Sequence, residues 1–82
     1  MNLEILTPDA AVFAGEITAV TVPGSLGMFQ VLHNHAPIIS TLSKGQIKIA
    51  TVNEGEKIYA AEGGVIEVLK NKIIILVENI AA

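Results

Sequence analysis

The 82-residue chain has no cysteine. That excludes disulfides, thiolate chemistry and cysteine-ligated metal sites, and it fits a reducing compartment. Arginine is absent too: five lysines stand against eight acidic residues, for a net charge of −3. Phosphate and nucleic-acid recognition leans on guanidinium forks and basic patches, so no nucleic acid is expected as a partner. Long apolar runs are also missing. None exceeds five residues, Ile73–Val77 being one, whereas a helical membrane span needs roughly 20. Direct membrane insertion is therefore not expected. Met1-Asn2-Leu3-Glu4 has neither the basic stretch nor the long apolar segment of a secretory leader.

What is present is unusually apolar. Hydrophobic residues make up 51% of the chain and charged residues only 16%, with a mean hydropathy of +0.59. Residues 1–82 are expected to form a single small domain. A domain of this size buries only about 60% of the surface its unfolded chain exposes. The surplus hydrophobicity must be hidden in the core and against partner proteins.

Turn signals recur at Pro8-Asp9, Gly15, Pro23-Gly24, Asn34, Lys44-Gly45, Asn53-Glu54-Gly55, Gly63-Gly64 and Lys70-Asn71. This even spacing, with runs rich in Ile, Val and Thr between, is the pattern of an all-β sandwich or barrel. Gln46-Ile47-Lys48-Ile49 alternates cleanly, which places Ile47 and Ile49 on a buried face. No window holds a helical period. The expected fold is all-β, a small β-sandwich or flattened barrel of about eight to ten short, mostly antiparallel strands. Lys72–Glu78 and much of Ile17–Val22 are apolar on both faces. They are read either as central strands covered by loops or as a sheet face that another subunit covers.

The most informative stretch is Val22-Pro23-Gly24-Ser25-Leu26-Gly27, followed by Met28, Phe29 and then His35-Ala36-Pro37. Pro23 fixes a backbone angle, and Gly24 and Gly27 permit the positive φ of a tight reversal. Leu26, Met28 and Phe29 put large apolar side chains where a solvated loop is normally polar. Such a tip reads as a docking surface.

Catalytic chemistry is poorly provided for. Gly27 to His35 satisfies the Gly-x5-His-x-His opening of a cupin metal site through His33 and His35. The carboxylate that pattern needs four or five residues later is replaced by Ile39 and Ser40, and there is no third histidine. Two imidazoles leave a first-row metal short of ligands, so no metal site is expected. Ser25, Ser40 and Ser43 lack a nucleophile elbow. Gly63-Gly64 lacks a phosphate-loop context and reads as a turn or bulge. Lys44 and Lys70 lack the flanking residues of a swinging-arm carrier lysine. No catalytic residue and no cofactor is assigned.

The ordered landmarks Val22-Pro23-Gly24, Gly27, His35-Ala36-Pro37 and Gly63-Gly64-Val65-Ile66-Glu67-Val68 with Asn71 resemble the amino-terminal β-sandwich domain of the epsilon subunit of F-type ATP synthases. The resemblance runs from about Leu3 to Glu78. It implies a noncatalytic rotor subunit of the central stalk, bound to the gamma subunit and to the membrane c-ring, on the cytoplasmic face of the inner membrane. By that resemblance Ser25, Leu26, Gly27, Met28 and Phe29 face the c-ring, and His35, Ala36, Pro37 and Ser40 approach gamma. Gly27-Met28 stands where the family usually has Gly-Glu, which makes the ring contact more apolar here. His33-Asn34 replaces the usual Pro-Gly, and Gln30 a usual glycine. Many members continue into a two-helix carboxy-terminal domain that inhibits hydrolysis and in some cases binds ATP; the sequence given stops at Ala82, so neither property is expected of it. Two alternatives remain at this point: a small cupin-like metal protein using His33 and His35, and a stand-alone β adaptor using the Leu26–Phe29 tip on an unrelated partner.

Overall fold

A computed structural model describes residues 1–81. Among them are seven strands and no helix: β1 (Asn2–Leu6), β2 (Ala11–Gly24), β3 (Gly27–Leu32), β4 (Ile38–Thr51), β5 (Glu56–Leu69), β6 (Lys72–Val77) and β7 (Ile80–Ala81). The all-β sandwich expected from the turn spacing is the observed class, built from fewer and longer strands than the eight to ten foreseen. The reason lies in the glycines. Gly15, Gly45 and Gly63-Gly64 do not reverse the chain; they sit inside the 14-residue strands β2, β4 and β5.

Each long strand serves two sheets by changing partners along its length. The first half of β2 pairs with β1 and its second half with β3 and β4. Likewise, β5 pairs with β7 through Ala60 and Ala61 but with β6 from Gly64 onward. The strand order β1-β6-β5-β4-β2-β3, with β1 also pairing β2, closes the array into a flattened barrel. All pairings are antiparallel except β1 with β6.

Inward residues alternate within each half: Leu3 and Ile5, Val20 and Val22, Ile47 and Ile49, Ile66 and Val68, then Ile73, Ile75 and Val77. The phase changes where the strands bend. Leu42 and Ile47 are both buried although five positions apart, and so are Ala61 and Ile66. Period two forbids an odd step unless one residue drops out of the alternation. Ser43 and Gly63, which would face each other, are the pair missing from a β4–β5 register that otherwise runs from Ile38↔Val68 to Ala50↔Glu56. Both strands skip together, so the register survives. At the same place Gly45 lets β4 close on Pro23, whose Cβ lies 2.9 Å from where a side chain at Gly45 would begin. Among the described residues no polar or charged side chain is buried.

Candidate partner-docking surface

The β2–β3 hairpin supplies the first part of the surface. Gly24 and Gly27 pair across a two-residue turn, Ser25-Leu26. Gly27 takes φ 135°, which a glycine accommodates readily. A Cβ at Gly24 would stand 2.7 Å from the Phe29 ring, so the glycine makes room for Phe29 to lie over it. Phe29 is half-buried and packs against the core, whereas Met28 is 61% exposed and Leu26 is fully exposed. Of the apolar triad, two residues therefore face out and one anchors the hairpin. Ser25 fixes the tip to β4: its N–H donates to the Thr41 carbonyl at 3.0 Å, and its Oγ lies 2.7 Å from Thr41 Oγ1.

The second part begins at the turn after β3. The His35 N–H donates to the Leu32 carbonyl at 3.1 Å, closing a turn in which Asn34 takes φ 64°. Asn34 is then clasped by Asn71 from the β5–β6 turn: its N–H donates to Asn71 Oδ1 at 2.7 Å, and Asn71 Nδ2 donates back to Asn34 Oδ1 at 3.0 Å. Lys70 and Asn71 both have positive φ, the requirement of a type I′ hairpin turn. His35 is half-buried, with Nδ1 2.7 Å from the Ala36 carbonyl, and Ala36 and Pro37 are exposed. Ser40 is half-buried and opposite the buried Ile66, on the core side of β4. It does not share a face with its neighbour Ile39, which is 73% exposed.

Sequence reasoning passed over most of the third part, the outer face of the second sheet, in which β1 and β6 lie beside the first part of β4 and the last part of β5. Cross-strand register lines up Thr41, Val65, Leu76 and Leu6 in one row and Ile39, Glu67, Ile74 and Glu4 in the next. Ile39, Val65, Leu69 and Leu76 on this face are all exposed. Two shallow apolar depressions flank it, one of about 390 Å³ between Ile39 and Leu69, the other of about 440 Å³ between Pro8 and Leu76. The signal available in the sequence was the double-faced apolar run Lys72–Glu78, and loops do not cover its second face. Thr41 belongs to the first row and holds Ser25, so the hairpin tip adjoins this face.

Groups capable of chemistry lie apart. His33 is exposed in its turn. Among the described residues no three His, Cys, Asp or Glu side chains cluster. Glu16 pairs with the terminal amine at 3.4 Å, Glu56 with Lys48 at 3.7 Å and Glu54 with Lys57 at 3.4 Å, all with exposed carboxylates. What the arrangement offers is apolar contact area on a rigid frame.

The family model described as "ATP synthase, Delta/Epsilon chain, beta-sandwich domain" matches residues 1–82. The chain is 38% identical over 80 residues to the ATP synthase epsilon chain of Chlorobium limicola, covering 98% of this chain and 91% of that one. It is also 38% identical over 81 residues to the epsilon chain of Leptospira borgpetersenii, of which it covers 61%. Its fold matches a chain in the cryo-EM structure of the Euglena gracilis mitochondrial ATP synthase OSCP/F1/c-ring, with a TM-score of 0.87 at 18% identity over 96% of this chain and 51% of that one. A chain in the Tetrahymena thermophila mitochondrial ATP synthase central stalk and c-ring gives 0.81 at 19% identity, covering 99% and 65%.

Proposed function

The chain belongs to the ATP synthase delta/epsilon β-sandwich family, and from that membership we propose that it is a noncatalytic rotor subunit of a proton-translocating F-type ATP synthase. In this reading it joins the gamma subunit to the membrane c-ring and helps pass proton-driven rotation to catalytic sites on other subunits. It works as a peripheral part of the complex on the cytoplasmic face of the inner membrane. The observation that carries the reading is the exposed apolar surface itself. Leu26 and Met28 at the hairpin and Ile39, Val65, Leu69 and Leu76 on the second sheet are all exposed, and large apolar side chains gathered in this way, unlike scattered ones, mark an interaction site. A rotor adaptor needs two such contacts on one stiff body. The tip from Ser25 to Met28 serves the ring, with Phe29 anchoring it to the core. The His35-Ala36-Pro37 segment, with the depression beside Ile39 and Leu69, serves gamma.

Size-exclusion chromatography with purified gamma tests the proposal. A one-to-one complex is expected, since a specific association buries at least about 1,000 Å². Ile39→Asp combined with Leu69→Asp abolishes that complex without altering the far-UV spectrum. Leu26→Ser combined with Met28→Ser leaves gamma binding intact and weakens capture of detergent-solubilised c-ring by the gamma-bound subunit. No shift on mixing wild-type chain with gamma would end the proposal.

A further inference from the structure

Two carboxylates stand in the middle of the exposed apolar face without a cation. The row Ile39, Glu67, Ile74, Glu4 crosses four strands. Its side chains point outward, since their neighbours along the strands, Val68, Ile73, Ile75, Leu3 and Ile5, are buried. Glu67 is exposed and Glu4 half-buried. Apolar residues frame them, Val65 and Leu76 in the row on one side and Leu69 in the row on the other. Glu67 also lines the depression of about 390 Å³ between Ile39 and Leu69. Elsewhere Glu16, Glu54 and Glu56 each pair with a cation of the chain, but among the described residues no cation pairs with Glu4 or Glu67. Lys72 lies on the same face, opposite Leu69, and forms an ion pair with neither.

A partner that covers this face shuts water away from both carboxylates, and a carboxylate desolvated without a counter-charge is strongly unfavourable. The apolar residues cannot be buried without burying the charges set among them. We propose that the gamma segment seated on this face carries two basic side chains about 10 Å apart, the span of two strand spacings of roughly 4.8 Å. One meets Glu67 and the other Glu4. Between them an apolar side chain lies over Ile74, and a second enters the depression beside Ile39. The net charge of −3 also favours the approach of a cationic surface. The inference rests on the stalk reading, which sets gamma beside Ile39 and Leu69, and adds the chemistry of that contact.

Calorimetric titration of purified gamma into the chain, at low and at high salt, tests it. The dissociation constant of the wild-type complex is expected to rise with salt. Glu67→Gln, which keeps the size and removes the charge, raises it at least about tenfold at low salt. Glu4→Gln acts in the same direction, and the double variant loses most of the salt dependence. Glu62→Gln removes the same charge from an exposed position on the first sheet and leaves the constant within about twofold. If gamma binds wild type and the folded double variant equally, the inference is overturned and the stalk reading stands. The same holds if Glu62→Gln weakens binding as much as Glu67→Gln, because the effect is then one of overall charge. No binding of gamma to the wild-type chain ends the stalk reading and the inference with it.

Discussion

Replacing Gly64 by alanine tests the packing that aligns the outer apolar face. Gly64 lies in β5 at φ 154°, opposite Val77 of β6. A Cβ there would run into the Leu76 backbone carbonyl oxygen and stand 2.8 Å from Val77 Cγ1. The carbonyl cannot rotate away as a side chain can; relief requires β5 and β6 to separate. Overpacking of this kind costs about 1–3 kcal/mol, and a non-glycine residue at such a φ adds about 1–3 kcal/mol. A loss of roughly 3 kcal/mol or more is expected, against about 4–12 kcal/mol for the whole domain at typical stability per residue. At about 4–8 °C per kcal/mol for this size, the melting midpoint falls by about 12–24 °C. Gly55→Ala is the matched control: φ is 72° but nothing lies within 4 Å, so only the backbone penalty of about 1–2 kcal/mol applies. Urea titration followed by far-UV circular dichroism reads both. If Gly64→Ala loses no more stability than Gly55→Ala, the close approach of β5 to β6 is not what sets their spacing, and the argument fails.

Neighbouring residues on β6 should behave oppositely. Ile75→Ala, at a fully buried position, costs about 2–5 kcal/mol, while Leu76→Ala, at a half-exposed one, costs less than about 1.5 kcal/mol; equal losses in urea titration would mean the face assignment of β6 is wrong. Asn71→Gly keeps the positive φ but removes the clasp on Asn34, for about 1 kcal/mol. Asn71→Ala adds the left-handed backbone penalty of about 1 kcal/mol on top. Thermal melts of the two variants that coincide would show that the turn conformation contributes nothing separate.

The sequence made the class of the fold legible because burial alternates with period two over most of each strand. Gln46-Ile47-Lys48-Ile49 is the clearest case, with both isoleucines fully buried and both polar residues exposed. Its turn signals at Pro8-Asp9, Asn34, Asn53–Gly55 and Lys70-Asn71 fall at real breaks between strands. Those at Gly15, Gly45 and Gly63-Gly64 do not. Glycine serves both a reversal, by its positive φ, and a close approach, by its missing Cβ, and composition cannot tell the two uses apart. The β1–β6 pairing was out of reach for a different reason: it joins opposite ends of the chain, and nothing local encodes it. Of the candidate surface, Leu26 and Met28 were legible as large apolar residues at a turn. Val65 and Leu69 were not, because their exposure depends on which way the phase runs after the glycines; Leu76 was visible only within the double-faced run Lys72–Glu78.

That phase decides which side of the molecule carries the exposed apolar residues. Before the bend, β5 turns its even-numbered residues outward: Glu56, Ile58, Ala60 and Glu62 are exposed. Beyond Gly63 and Gly64 the odd-numbered residues Val65, Glu67 and Leu69 are the exposed ones. In β4 the exposed set changes from Ile39 and Thr41 before the bend to Gln46 and Lys48 after it. Had the alternation run through unbroken, Ile66 and Val68 would face solvent and Val65 and Glu67 the core, which buries a carboxylate without a partner. The paired skip at Ser43 and Gly63 removes that conflict in both strands without shifting their register. Its by-product is an asymmetry. The first sheet presents Gln46, Lys48, Glu56 and Glu62 to water with Ile58 among them, while the second presents Ile39, Val65, Leu69 and Leu76 with Glu67 among them. A free-standing domain of this size gains nothing from an exposed apolar sheet face. One that is held against another subunit does, because the same residues then contribute to binding at about 25 cal/mol per Å² of apolar area removed from water, before the costs of association.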